Sequence, residues 1–238
     1  MYSNKNISVH GALSPGYTSF RLEVYDMDNY IITIARGYGS GGSHIARFLS
    51  QELGIPYYDN EILDMAADYS GINESYFYEA NERIKKGAIA IKNSDGVYNH
   101  ERTFKVEDKD YFSNEHLFSI QAEVIKNIAF DNKTSCIIVG KAANYILRSL
   151  INVYRVNIQA PEEKCVKNIM RRLQIGYEDA RNEIKKTDKY RADYYKYYTG
   201  REWLDPKEYN ISLNTGTMTE EYAGNLIIKL LRDRALIK

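Results

Sequence analysis

The chain has 238 residues, and its 32 Lys plus Arg balance 32 Asp plus Glu. A formal net charge of zero excludes a basic nucleic-acid coat and an acidic solvating tail as descriptions of the whole chain. The apolar fraction of 44% is enough for a sizeable core, and the length suits one α/β domain with or without an insertion. Cys136 and Cys165 are the only cysteines and have no Cys/His ligand spacing around them, which argues against a disulfide framework and a structural zinc site. The longest apolar runs reach about six residues, far short of the ~20 that span a bilayer. The opening MYSNKNISVHGALSPGY has no signal-peptide apolar region, so a cytoplasmic location is expected. Tyr is in excess, at 22 against 7 Phe and 1 Trp; it combines apolar area with a polar handle and suits half-buried surfaces.

Taken in chain order, residues 1–28 read as an N-terminal extension, with Gly11, Pro15 and Gly16 suggesting a turn before Phe20–Tyr25. Five short runs then predict strands: Tyr30–Ala35, Pro56–Asp59, Ser135–Gly140, Val153–Ile158 and Tyr209–Asn214. The first and third are nearly continuous Ile/Val, as in strands covered on both faces. Helical stripes lie between them, formed by Ile45, Ala46, Phe48, Leu49 and Leu53, by Phe118, Ala122, Ile125 and Ala129, and by Leu226, Ile227, Leu230 and Leu231. The alternation predicts a parallel sheet wound with right-handed crossovers. Two polar segments stand apart from that pattern. Asp59–Glu115 carries 13 acidic and 7 basic residues, a net of −6, and Glu162–Arg201 carries 11 basic and 7 acidic residues, a net of +4.

The strongest local signal is IITIARGYGSGGSHIARFL. A β-like run ends at Ala35, a turn holds Gly37, Gly39, Gly41 and Gly42, and an amphipathic helix follows from about Ser43. Glycines let backbone N–H groups approach an anion, and a helix N-terminus adds about half a positive charge, so the turn is read as a phosphate site formed by Gly37, Gly39, Ser40, Gly41, Gly42, Ser43 and His44. Two motifs compete for it. Gly37, Gly39 and Gly42 fit G-x-G-x-x-G, and Asp59 stands where a dinucleotide site has its ribose-binding acid. Gly37 and Gly42 also fit the spacing of a P-loop, with Ser43 at its Lys position and His44 at its Ser/Thr position. On this stretch alone the Rossmann dinucleotide pattern matches better.

Three blocks in order reverse that ranking: ITIARGYGSGGSHIARFLSQELGIPYYD at Ile32–Asp59, IIVGKAANYIL at Ile137–Leu147, and DKYRADYYKYYTGREW at Asp188–Trp203. Together they resemble the signatures of the cytidylate kinase-like family, a branch of the P-loop nucleoside monophosphate kinases, over roughly Tyr30 to the C-terminus. The phosphate-binding loop is degenerate: the family pattern carries Arg at Ser43 and Glu at His44, Arg at Lys141, and Asp at Asn144. No Walker B Asp follows the Cys136–Val139 run. Arg36, just before the loop, is a candidate for the missing cation or a surface residue.

The resemblance implies a three-layer α/β sandwich over 29–238: a five-stranded parallel P-loop kinase-like sheet with an NMP-binding insertion at about 60–115 and a lid at about 162–201. It implies ATP-dependent phosphoryl transfer to a nucleoside monophosphate, CMP or dCMP first, with ATP and Mg²⁺ as cofactors and no protein ligand for the metal identified. The partners expected are nucleotides, not nucleic acid or membrane. Lys141, Lys185 and Arg191 are the candidate catalytic cations, the last two lying with Asp188 at i, i+3, i+6 along a lid helix. Asp59, Asn144, Asp188 and Arg191 are the candidate acceptor contacts. Arg171 and Arg172 are further phosphate candidates. Tyr194, Tyr195, Tyr197 and Tyr198 either pack the lid helix on the body or stack on a base, and Trp203 anchors the lid's end. The alternatives are an inactive nucleotide-binding protein on the same fold and a Rossmann dinucleotide binder.

Overall fold

The computed structural model describes residues 29–85, 111–131 and 134–237. The N-terminal extension with its turn, and the 86–110 part of the insertion, lie outside the described residues. Five strands form one sheet: β1 (Ile31–Arg36), β2 (Tyr57–Tyr58), β3 (Cys136–Val139), β4 (Val153–Gln159) and β5 (Ile211–Asn214). All pairs are parallel and the order is β2-β3-β1-β4-β5. Every predicted run supplies a strand. In a Rossmann sheet the second strand lies beside the first, giving 3-2-1-4-5; here β3 separates them, which overturns the dinucleotide-binder alternative.

The helices are α1 (Gly42–Leu53), α2 (Glu61–Ser70), α3 (Glu74–Lys85), α4 (Asn114–Asp131), α5 (Ala143–Ile146), α6 (Glu162–Leu173), α7 (Tyr177–Thr199) and α8 (Glu220–Asp233). They cover both faces of the sheet. Ile32, Ile34, Ile137, Val139, Val156 and Ile158 pack on α1 and α8 through Ile45, Leu49, Ile227 and Leu231. On the other face Ile31, Cys136 and Ile138 meet Ile62, Phe118, Ile125 and the tyrosines of α7. A strand buried on both sides has its register fixed twice over, because a one-residue slip exchanges its two sets of side chains.

Residues 162–201 run as α6 and α7, joined by their own small cluster of Cys165, Val166, Ile169, Ala180 and Ile184. The last part of α7 belongs to the main core. Tyr194, Tyr195, Tyr197 and Tyr198 are all buried, and Phe118 of α4 stacks on Tyr198 with centroids 3.9 Å apart and planes at 8°. Their hydroxyls explain why the stripe is Tyr and not Phe. Tyr194 donates to Gln121 Oε1, Tyr195 to Glu208, Tyr197 to Glu115, and Tyr198 to the Asn114 carbonyl. Each buried O–H thus has an acceptor; the cluster packs α7 on the body, and Tyr194 and Tyr195 also line a cavity. Burial keeps the four phenols neutral by pushing their pKa values upward.

Candidate active site

The turn between β1 and α1 is braced from three sides. Tyr38 N–H donates to Asp188 Oδ1 at 2.8 Å, Asn168 Nδ2 donates to the Gly39 carbonyl at 2.8 Å, and Thr215 Oγ1 donates to the Ser40 carbonyl at 2.7 Å. Gly39 and Gly41 have φ of 86° and 88°, a region costly for residues with a side chain. A Cβ on Gly39 would lie 2.7 Å from the Cys165 carbonyl, and one on Gly41 2.4 Å from Glu220 Oε1. The loop therefore needs glycine for shape and for space. Among the described residues, the N–H groups of Gly39, Gly41, Gly42 and Ser43 have no hydrogen-bond partner. Gly37, Gly39, Gly41, Gly42, Ser43 and His44 line a cavity of about 740 Å³. Ser40 lies beneath it, fully buried, with its hydroxyl unpartnered. Free amides at a helix N-terminus make an anion cradle.

Charge reaches this cavity from outside the loop. Arg171 and Arg172 line it from α6, and the Arg172 guanidinium sits 4.6 Å from the Tyr38 ring centroid. Glu220, at the start of α8, brings a carboxylate that meets His44 Nδ1 at 3.0 Å. The sequence offered no motif for Glu220, which lies 176 residues from its partner. A carboxylate here opposes an incoming anion, by about 1 kcal/mol for a partly exposed pair of charges. Glu220→Gln is therefore expected to tighten triphosphate binding about fivefold, read as a lower Kd in calorimetry; weaker binding would show that the carboxylate acts instead by orienting His44.

At the end of β1 stands Arg36. Its Nη2 reaches Asp59 at 3.0 and 3.1 Å, crossing the tip of the intervening strand β3. It crosses at Gly140, where a Cβ would lie 2.3 Å from Arg36 Nη1. The Arg36 side chain is only 15% exposed, so it is not a surface residue, and its Nε is buried without a partner. Asp59, an acid two strands away from β1, is occupied by this pair and makes no cap on α2. Arg191 of α7 closes the arrangement, donating from Nη1 to the Arg36 carbonyl at 2.8 Å and to Asp188 Oδ1 at 3.2 Å. Burial first, then Arg36, pushes the Arg191 pKa down to about 10, and burial raises that of Asp188 against the pull of Arg191.

After β3 the chain takes three successive left-handed residues, Gly140, Lys141 and Ala142, with φ of 78°, 52° and 55°. Two of them carry side chains, a strain of about 1 kcal/mol or more each. The turn sets Lys141 and Asn144 on a second cavity of about 460 Å³, walled by Tyr190, Tyr194 and Trp203. Lys141 is half-buried and makes no hydrogen bond or ion pair among the described residues. Burial pushes its ammonium down to about 8; Arg36 and Arg191 add to that shift, and Asp59 and Asp64 oppose it. Arg36, Asp59, Asn60 and Arg191 line both cavities, so the two chambers meet at this cluster.

The structure thus brings together the loop residues with Asp59, Lys141, Asn144 and Arg191. Asp188 lines neither cavity and braces the loop instead. Lys185 is exposed on α7 and lines neither cavity. Besides Glu220, sequence reasoning missed Asn60, Thr187 and Tyr190 as lining residues. Among the described residues no group of three or more His, Cys, Asp or Glu could hold a metal ion, and no helix is long and apolar enough to cross a membrane.

A parallel sheet in the order 2-3-1-4-5, with a glycine loop leading from its central strand into a helix, defines the P-loop kinase-like class of α/β proteins. Residues 31–217 match the cytidylate kinase-like family, and the chain belongs to that family. A crystal structure of an uncharacterized protein from Eubacterium ventriosum is similar, with a TM-score of 0.63 and 26% identity over 86% of this chain and 99% of the other. Lower similarity is found to an unliganded sugar kinase from a Janibacter species (TM-score 0.48, 14% identity, 88% and 99% covered) and to an Acinetobacter baumannii shikimate kinase in complex with shikimate (TM-score 0.42, 12%, 89% and 97%). No curated protein matches the chain.

Proposed function

We propose that the protein transfers the terminal phosphoryl group of ATP to a nucleoside monophosphate, with CMP or dCMP the first acceptor to test. The observation that carries this reading is the meeting of two cavities at Arg36, Asp59, Asn60 and Arg191, with free loop amides on one side and an aromatic chamber on the other. In this reading the amides of Gly39, Gly41, Gly42 and Ser43 and the α1 N-terminus hold the donor phosphates. Arg36 and Arg191, with Lys141 from the far side, balance the charge that spreads over the transferred group. Asp59 holds the Arg36 fork in place, and Asp188 fixes the loop through Tyr38. The residues present fit a triphosphate: the cradle excludes any Cβ at Gly39 or Gly41, and the Ser40 hydroxyl and Arg36 Nε are left without partners. Asp59, the one carboxylate of the shared wall, is the residue that would hold Mg²⁺, which would supply Lewis-acid stabilisation of the phosphate charge, with phosphate and water oxygens as its remaining ligands.

The test is turnover of Mg-ATP by the purified protein against a panel of nucleoside monophosphates, read by coupled ADP release. Phosphorylation of CMP or dCMP is expected, and no turnover with any acceptor would overturn the catalytic reading. A second reading, a nucleotide-binding protein without activity, is favoured by one feature: the loop has Ser43 and His44 where a P-loop has its cation and metal-binding hydroxyl. It predicts that ATP or CMP raises the melting temperature with no turnover.

A further inference from the structure

Beside the aromatic cavity, a chain of buried polar groups runs away from the site. Asn144 Nδ2 lies 2.9 Å from the Tyr195 hydroxyl, which lies 3.1 Å from Glu208 Oε2. Glu208 Oε1 meets Arg201 Nη1 at 2.6 Å. Four places in the fold contribute: α5, α7, the residue after the α7 cap, and the single turn at Pro206–Glu208. Asn144 and Glu208 are each 5% exposed and Tyr195 is 2% exposed. Neither Tyr195 nor Glu208 is needed for phosphoryl transfer as described above.

The direction of each hydrogen bond follows from the charge at the far end. Glu208 Oε1 is held in an ion pair with Arg201 Nη1 at 2.6 Å, and the carboxylate of such a pair accepts and does not donate. The single proton of the Tyr195 hydroxyl must therefore go to Glu208. Burial, with Glu208 close by, holds the Tyr195 pKa far above its ordinary value, so the proton stays on the phenol. With that proton committed, the hydroxyl can only accept from Asn144, so the amide NH₂ turns toward Tyr195. The opposite orientation would set two acceptors face to face. Asn144 Oδ1 is left with no partner among the described residues and is not one of the sealed, unpartnered atoms, while Asn144 lines the cavity.

We infer that Asn144 determines acceptor specificity, and that Tyr195, Glu208 and Arg201 are positioning residues that lock its amide with the carbonyl oxygen presented to the cavity. This rests on the proposed phosphotransferase reading and names its acceptor class: a planar ring carrying an amino group, with an anionic group toward Arg36, Arg191 and Lys141. A free Asn amide reads either an amine or a carbonyl by turning over; a locked one distinguishes them. Tyr190, Tyr194 and Trp203 give the ring flat walls. An aminopyrimidine nucleotide satisfies the oxygen, whereas the 4-oxo pyrimidine sets a carbonyl against it and leaves both unpaired.

The experiment compares CMP with UMP, which differ in this group, by calorimetric Kd on the full chain. The wild type is expected to bind CMP at least tenfold more tightly. Tyr195→Phe removes the hydroxyl that accepts from Asn144 while keeping the ring, and should bring the ratio close to one by loosening CMP and tightening UMP. Glu208→Gln can donate to Tyr195, frees the hydroxyl proton to bond Asn144 Oδ1, and should erase the preference as well. A merely structural role would weaken both ligands together and leave the ratio intact, and that result in either folded variant would overturn the inference. Equal binding of CMP and UMP by the wild type would overturn it while leaving the phosphotransferase reading standing. Binding of no nucleotide at all would remove both.

Discussion

Arg36→Met is expected to lower phosphoryl transfer by about a thousandfold, the scale of losing an arginine that stabilises the transferred group. Its guanidinium lies on the wall shared by the two cavities, and it brings a positive charge to the cavity whose loop carries Ser43 in place of a cation. Only Nη2 is used by Asp59, so the Nη1 donors remain for an incoming oxygen. Methionine keeps most of the stem where Gly42 packs on it, so the loop should hold its shape. Asp59 loses its partner, at a cost of about 1–3 kcal/mol. That loss appears in a melting curve and separates instability from a catalytic defect. Arg36→Lys should fall between, since it keeps the charge and loses the planar fork. Single-turnover rates at saturating ATP and CMP provide the check; an Arg36→Met rate within tenfold of wild type would remove Arg36 from the chemistry.

The second large effect concerns pH. Lys141 in the free protein titrates near 8, below its ordinary 10.5. Below pH 8 both folded and unfolded chains carry this proton, and the cost of enclosing the charge is borne in full. Between about 8 and 10.5 the unfolded chain holds a proton that the folded chain sheds, so this group makes the fold more stable as pH rises across that window. Ligand binding runs the other way. A nucleotide phosphate is fully ionised above pH 7, and its charge favours the ammonium form. Affinity for CMP should therefore be flat up to about pH 8 and then fall by up to tenfold per unit. Above about pH 8 binding should take up as much as one proton, visible as a dependence of calorimetric heat on the buffer. Lys141→Met should bind more weakly at neutral pH and show neither the fall nor the uptake. A wild-type affinity unchanged from pH 7 to 9.5 would mean that Lys141 does not meet the ligand's charge.

The sheet was legible because each strand is a short apolar run bounded by polar residues, and the loop because glycine at Gly37, Gly39, Gly41 and Gly42 has few other uses. The strand order was not, and with it the role of Arg36. Nothing in the sequence says that β3 lies between Arg36 and Asp59, or that Gly140 clears the way. Lys185 shows where spacing misleads. Two steps of three residues drift by about 120° around an α-helix, so Lys185 leaves the face that Arg191 presents to the loop. The four tyrosines at i, i+1, i+3, i+4 announce a buried face of α7, but their hydroxyl partners on α4 and beyond Gly200 come from tertiary packing alone. Glu220 was invisible for the same reason.

The way α7 is anchored has a mechanical consequence. With 23 residues, it is a beam of about 34 Å clamped at one end, where its tyrosines are wedged into the core. Asp188 and Arg191 sit just ahead of the clamp, where leverage is shortest, and they grip the backbone of the glycine turn. α6 is tied to the same turn, because Asn168 Nδ2 holds the Gly39 carbonyl, so both helices bear on the loop at the short end of the beam. A variant that loosens the wedge, Phe118→Ala, would free the clamp, so that motion of the outer helices reached the glycine turn and slackened it.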